Sequence, residues 1–256
     1  MEAVAATAAP AEAHDARALP GDRTAFNSLY SPQFEAVYDF VLRIVGEREL
    51  AADVVRDTFA RARRAFPEQG NDVAAWLLMT ARGCALDSLR YRRDRNGAER
   101  EAVHFTRVDG NRMPDAAAVF DHALAELVWD AAAALSREDY SLLALHARHG
   151  LAADAFGRAV AVRLKRTRDA FDEHVTFRLV ADRARHNCTE LQILSAQGDE
   201  PEIAAHIRRC ERCRESTRAF VSPTAVLGSL ALVEPERGLR RELFKRAPRR
   251  RIFGML

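Results

Sequence analysis

The chain has 256 residues, enough for one to three compact domains. Hydrophobic residues make up 48% and charged residues 30%, the balance of a soluble globular protein, and a net charge of +2 excludes a uniformly basic surface, so any affinity for nucleic acid has to come from local patches of arginine. No run reaches the roughly 18 apolar residues of a membrane span, and four cysteines are too few for a disulfide scaffold.

Residues 1–21 are Ala-rich and carry Glu2 and Glu12. A secretory signal needs a basic start and an apolar middle, so a disordered leader on a cytoplasmic protein is expected. Strand signals are nearly absent and helix follows helix, which gives an all-α fold class. Ser31-Pro32 opens the first clear helix, with Phe34, Val37, Tyr38, Val41 and Ile44 on one face and Gly46 as the stop. A second helix is expected from Arg48 to Ala65, with Ala51, Val55, Phe59 and Ala62 inward, before Pro67 and Gly70 break the pattern. Asn71 or Asp72 caps a third, running to about Arg93 with Val73, Trp76, Leu77, Cys84 and Leu89 as its apolar side.

The pattern fades between residues 96 and 115, which read as a linker. It resumes near Ala116, where Val119, Ala123, Leu124, Leu127 and Val128 form one set. Ser136 with Asp139 makes a capping box for a helix that ends at His149-Gly150. A further helix is expected from about Ala152 to Val180, and another compact region from near His186. The expected organisation is a helical domain over 22–95, a second over 116–180, a small module over 181–222 and a tail over 223–256.

Two adjacent segments carry the sharpest signal. In Ala52-Asp53-Val54-Val55-Arg56-Asp57-Thr58-Phe59 an apolar face is opposed by Asp53, Arg56 and Asp57, with Val54 turned partly outward among the charges; a solvated helix face has the same look. Further on, the apolar helix of Ala75-Trp76-Leu77-Leu78 turns basic at Arg90-Tyr91-Arg92-Arg93. Arginines around an aromatic ring suit a surface that tracks a phosphate backbone and stacks on bases; arginines at a helix C-terminus also offset its dipole. Taken together, the two segments resemble region 2 of the sigma-70 family, in its extracytoplasmic-function branch, from about Phe26 to Arg95.

The resemblance implies a polymerase-docking surface at Asp53, Val54, Arg56 and Asp57, and core RNA polymerase and promoter DNA as partners. It implies that 66–72 and the start of the next helix hold a flipped base. It also implies that Arg82, Arg90, Tyr91, Arg92 and Arg93 hold DNA. Arg56 is a departure, because the family often has glutamine there.

Val128-Trp129 through Leu145 resembles the start of sigma region 4, which normally ends in a helix-turn-helix. After Gly150 about seven residues are missing where the turn belongs. Gly157 can serve as a cramped turn, or the segment can be one helix. Arg163, Lys165, Arg166 and Arg168 form a basic cluster able to grip phosphates, or a solvated basic face.

Cys188, His206, Cys210 and Cys213 have metal-ligand spacing. His206 and Cys210 lie one helical turn apart with Cys213 beyond, and Cys188 comes in from a preceding helix. Three thiolates and an imidazole leave Zn²⁺ no open position, so such a site is structural. Buried cysteines or a redox pair are the alternatives. His186 is a rival ligand, and Cys84 belongs to the core. The segment is similar to the zinc-finger module of anti-sigma factors, which implies regulation in cis, and a separate anti-sigma protein is a further possible partner. The arginines from Arg240 to Arg251 read as a solvated tail or as one on nucleic acid, with membrane contact not expected. No phosphate-binding loop, nucleophile elbow or carboxylate pair is present, so neither an enzyme nor a small-molecule substrate is expected. The rival reading is a zinc-binding adaptor or anti-sigma-like regulator.

Overall fold

The computed structural model describes residues 23–66, 72–96, 116–184, 188–197, 200–218 and 222–244. The expected leader, most of the 66–72 loop, most of the linker, His186 and residues 245–256 lie outside the described residues. Every regular element described is helical, in keeping with the all-α expectation.

Helix α1 (Arg23–Tyr30) leads through a 3-10 turn at Ser31–Gln33 into α2 (Phe34–Val45). The expected start at Ser31-Pro32 is therefore this tight turn, and the regular helix begins at Phe34. Helices α3 (Arg48–Ala65) and α4 (Val73–Asn96) complete a bundle in which α2, α3 and α4 each pack on the other two. Its core holds Phe26, Tyr30, Phe34, Tyr38, Phe59 and Leu77, all essentially sealed from solvent. Asp72 begins α4 by accepting the Ala75 N–H at 2.9 Å, the cap read from the sequence.

The second group contains α5 (Ala116–Ala133), α6 (Arg137–Ala147) and α7 (Arg158–Ala184). The Ser136 hydroxyl caps α6, accepting the Asp139 N–H at 3.1 Å. Between α6 and α7 the chain makes a 3-10 turn at Ala153–Phe156 and bends at Gly157, whose φ is 78°. This left-handed conformation suits glycine, and it excludes the single helix from Ala152. Helix α7 then runs unbroken past residue 180, where a domain boundary was expected. Its C-terminal half serves as the floor for α8 (Thr189–Gln197), α9 (Glu200–Arg209) and α10 (Glu211–Arg218). A separate small core of Val180, Leu191, Ile203 and Ile207 forms there, with Cys188 and Cys213.

As far as Phe244, the C-terminal segment corrects the expectation of a solvated tail. Helix α11 (Pro223–Ser229) lies against α5, α6 and α7, and α12 (Arg237–Phe244) returns to α3. Asp172 of α7 anchors the start of α11, accepting both the N–H and the hydroxyl of Thr224 at 2.8 Å. A side chain at Gly228 would put its Cβ 2.4 Å from the carbonyl oxygen of Ala147, so only glycine lets α11 approach α6 this closely. Docking buries Leu227, Val233 and Leu239, while Arg240 pairs with Glu35 at the rim.

The two large helical groups share one apolar core, and their junction contains a buried charge. Asp39 on α2 is fully buried, as is the guanidinium-bearing side chain of Arg148 that meets it at 3.1 Å. Arg43 holds its other oxygen at 2.9 Å, and the Val233 N–H donates to that same oxygen at 2.9 Å. The Arg43 guanidinium lies 3.7 Å from the centre of the Trp129 ring, a cation–π contact.

Replacing Asp39 with alanine would leave Arg148 buried without its counter-charge. The expected loss is about 3–5 kcal/mol, read as a drop in unfolding free energy in urea. His149 gives a pH test. Its ring packs edge-on against Phe40 at 5.5 Å between centroids, and its buried Nε2 has no hydrogen-bond partner. Burial, aided by Arg148, holds its pKa down to about 4. The unfolded chain takes that proton near pH 6.5, so the contribution of neutral His149 is complete above that pH and lost as pH falls towards 4. The urea midpoint should fall over that window, and His149→Gln should flatten the decline.

Candidate functional site

Three sets of side chains stand out. The first is the outward stripe of α3. Asp53 and Asp57 are exposed, and each is paired with an arginine of its own helix: Asp53 with Arg56 at 2.8 Å and Asp57 with Arg61 at 3.0 Å. Val54 is not on this stripe. It is 2% exposed, because its position between Ala51 and Thr58 turns it inward, and its carbonyl accepts the hydroxyl of buried Thr58 at 2.8 Å. The reading of Val54 as an outward aliphatic is thereby corrected. Arg56 is engaged from outside the helix, with Glu242 of α12 taking its Nε at 3.1 Å.

The second set is the basic end of α4. Arg90, Tyr91, Arg92 and Arg93 are all exposed, with the Tyr91 ring 62% accessible. Arg90 pairs with Asp87 at 3.1 Å and Arg92 with Glu47 at 2.6 Å. These exposed pairs contribute little and exchange readily for other anions. Arg82 differs from its neighbours. It turns into the junction with α6, donating to the Ser141 hydroxyl at 2.7 Å, and burial lowers its pKa from the usual arginine value. It joins the two helical groups instead of facing outward with the others. Trp76 is half-buried against the core and Cys84 is inside it, as the helical periodicity predicts.

The basic cluster of α7 is largely occupied by its own acids. Arg163 grips Asp139 at 2.6 Å, Lys165 pairs with Asp169 at 2.5 Å, and Arg168 meets the same carboxylate at 3.4 Å. Arg163 and the Ser136 and Thr167 hydroxyls together hold the Asp139 carboxyl below its usual range. Arg166 is exposed.

The third set is the cluster of Cys188, His206, Cys210 and Cys213, whose ligand atoms all lie within 4.8 Å of one another. Cys188 stands immediately before α8, not within a helix, and its carbonyl starts that helix by accepting the Gln192 N–H. His206 is on α9, Cys210 at the break between α9 and α10, and Cys213 on α10. The His206 Nε2 faces the sulfurs of Cys188 and Cys213 at 3.2 and 3.5 Å. Its Nδ1 lies 3.3 Å from the Glu190 carboxylate. A carboxylate at Nδ1 favours the tautomer whose free Nε2 lone pair points to the sulfurs. Burial pushes the Cys213 thiol up to about 12, whereas the Cys213 backbone N–H lowers the Cys210 thiol. Three sulfurs this close do not all ionise unless a cation joins them, and a thiol that coordinates a metal is deprotonated outright. The donor set and its convergence therefore suit a metal ion.

Residues 29–95 match the family Sigma-70 region 2. Over these residues the chain is similar to sigma region 2. The ECF RNA polymerase sigma factor BldN of Streptomyces coelicolor is 37% identical over 82 residues, which are 31% of this chain and 31% of that protein. The chain thus matches less than a third of that relative's length. No solved structure matches it.

Asp39 within region 2, and Glu242 and Phe244 packed against it from α12, did not stand out in the sequence. Asp39 stands in an apolar helix and could have drawn notice as a carboxylate between Tyr38 and Phe40. Glu242 and Phe244 carry no local signal, because their partners lie about two hundred positions away in the chain.

Proposed function

We propose that the chain is a sigma factor of the extracytoplasmic-function type, which binds core RNA polymerase and directs promoter recognition and melting in the cytoplasm. The match of residues 29–95 to Sigma-70 region 2 carries this reading. In it, Asp53, Arg56 and Asp57 form the polymerase-docking stripe. Arg90, Tyr91, Arg92 and Arg93 track the promoter strands, with phosphates replacing the weak surface pairs of the arginines. Arg82 acts indirectly, by fixing α4 against α6. The subunit performs no covalent chemistry. Among the described residues no helix is long and apolar enough to cross a membrane.

Cys188, His206, Cys210 and Cys213 would hold a structural Zn²⁺. The ion supplies cross-linking of α8, α9 and α10 onto α7, with no open position for catalysis. Glu190 would fix the imidazole. A second reading, a zinc-binding adaptor or anti-sigma-like regulator, is favoured by the α7 cluster. There Arg163, Lys165 and Arg168 are paired internally, and a 3-10 turn replaces a helix before Gly157. In both readings an anti-sigma protein is a possible further partner.

Run-off transcription with core polymerase and a library of promoter fragments separates the two. Promoter-specific transcripts that fade with Arg90→Ala and Arg92→Ala together support the sigma reading. Core binding without transcripts supports the adaptor, and no core binding defeats the sigma reading. Native mass spectrometry tests the metal: about one zinc per chain is expected, lost in the Cys210→Ser, Cys213→Ser double variant. Full-length protein with intact thiols and no zinc would overturn the structural site.

A further inference from the structure

The C-terminal segment does more than cover apolar surface. It crosses from α11 to α2, where the Val233 N–H is bound by Asp39 at 2.9 Å, and then lays α12 along α1 and α3. Phe244 enters an aromatic pocket, edge-on to Phe59 and Phe34 at 5.3 and 6.0 Å and stacked on Phe26 at 6.5 Å between centroids. Glu242 takes the Arg56 guanidinium through both oxygens, at 3.1 and 3.2 Å. The last carbonyls of α12, which lack partners inside the helix, accept from region 2: Leu243 from Arg63 at 3.0 Å and Phe244 from Asn27 at 3.4 Å. Arg240 pairs with Glu35. The middle and the C-terminal end of α12 are therefore held by side chains of α1, α2 and α3.

We propose that α12 is an intramolecular competitor for the polymerase-docking face, and that core polymerase binds only after α12 leaves α3. The inference rests on the sigma reading above. Arg56, central to the exposed α3 stripe, is taken by Glu242 in the closed arrangement, and Arg63, one face-length further along α3, is spent on the α12 terminus. The competitor is built to be released. An isolated helix of eight residues is far too short to persist in water, and its ion pairs are exposed and individually weak. Phe244 remains partly exposed, so α12 opens more readily than the core helices behind it while staying closed in the unaltered chain. The anchors behind it are firm: Asp39 at Val233, Asp172 at Thr224 and the close seat of Gly228 on α6. Release therefore frees α12 alone, and the tether keeps it near its site.

The test uses the full chain in three forms: unaltered, Phe244→Asp, and Glu242→Arg. Glu242→Arg alters only an exposed pair and leaves the core intact. Hydrogen exchange of the 237–244 amides reads closure, and equilibrium titration with core RNA polymerase reads access. Slow exchange in the unaltered chain is expected, with fast exchange and a rise in polymerase affinity of about tenfold or more in both variants. Combining Arg56→Glu with Glu242→Arg should restore slow exchange by re-forming the pair with reversed charges. Freed amides with unchanged affinity would overturn the competitor while leaving the sigma reading intact, as would fast exchange in the unaltered chain. Failure of every form to bind polymerase would overturn the sigma reading, and the competitor with it.

Discussion

A single carboxylate, Asp39, sits where three parts of the chain converge. It neutralises Arg43 on its own helix and Arg148 at the end of α6, and it receives the Val233 N–H from the C-terminal segment. A charge buried this deeply is tolerable only if its partners are present. The bundle α1–α4, the group α5–α7 and the returning segment are thus fixed in one relative arrangement. Trp129 adds to this by stacking against Arg43 and lying 5.3 Å from the Arg148 guanidinium. The apolar core by itself would accept small slides of one helix group over another, whereas the hydrogen-bonded carboxylate accepts one register. Arg82 on Ser141, and Arg137 on the Ile44 carbonyl, repeat the device along the same junction.

The interior of region 2 could be read directly from the chain because it follows local rules. Helical periodicity selected Val55, Phe59, Leu77 and Cys84, and the caps at Asp72 and Ser136 lie where their side-chain chemistry places them. The Cys/His spacing likewise anticipated a convergence that the fold displays. Periodicity gave out where two faces compete for one residue. Val54 has charges for neighbours in sequence but apolar neighbours in space, and its burial depends on helix α3 being packed from two sides.

The C-terminal segment was illegible for a different reason. Arg240, Arg241 and Glu242 look like a solvated run, and Leu243-Phe244 like an isolated apolar pair. Their order comes from Phe26, Phe34 and Phe59 at the other end of the chain, and no local pattern encodes so distant a complement. Arg82 is a milder instance. Its residue type suited phosphate, but the arrival of α6 gave it Ser141. The basic cluster of α7 shows a related limit, since two of its four positive charges are offset by Asp139, from α6, and Asp169.

The contact between α12 and α3 joins two parts of one polypeptide. Its strength is consequently independent of dilution, expression level or the ratio of one gene product to another. A separate blocking protein must be made in excess and can be titrated away. A blocking helix on the same chain is always present at one copy per target, opens and closes as a first-order process, and is inherited with the surface it covers. The only quantities that can tune it are the few side chains at the contact and whatever binds more tightly to the open form.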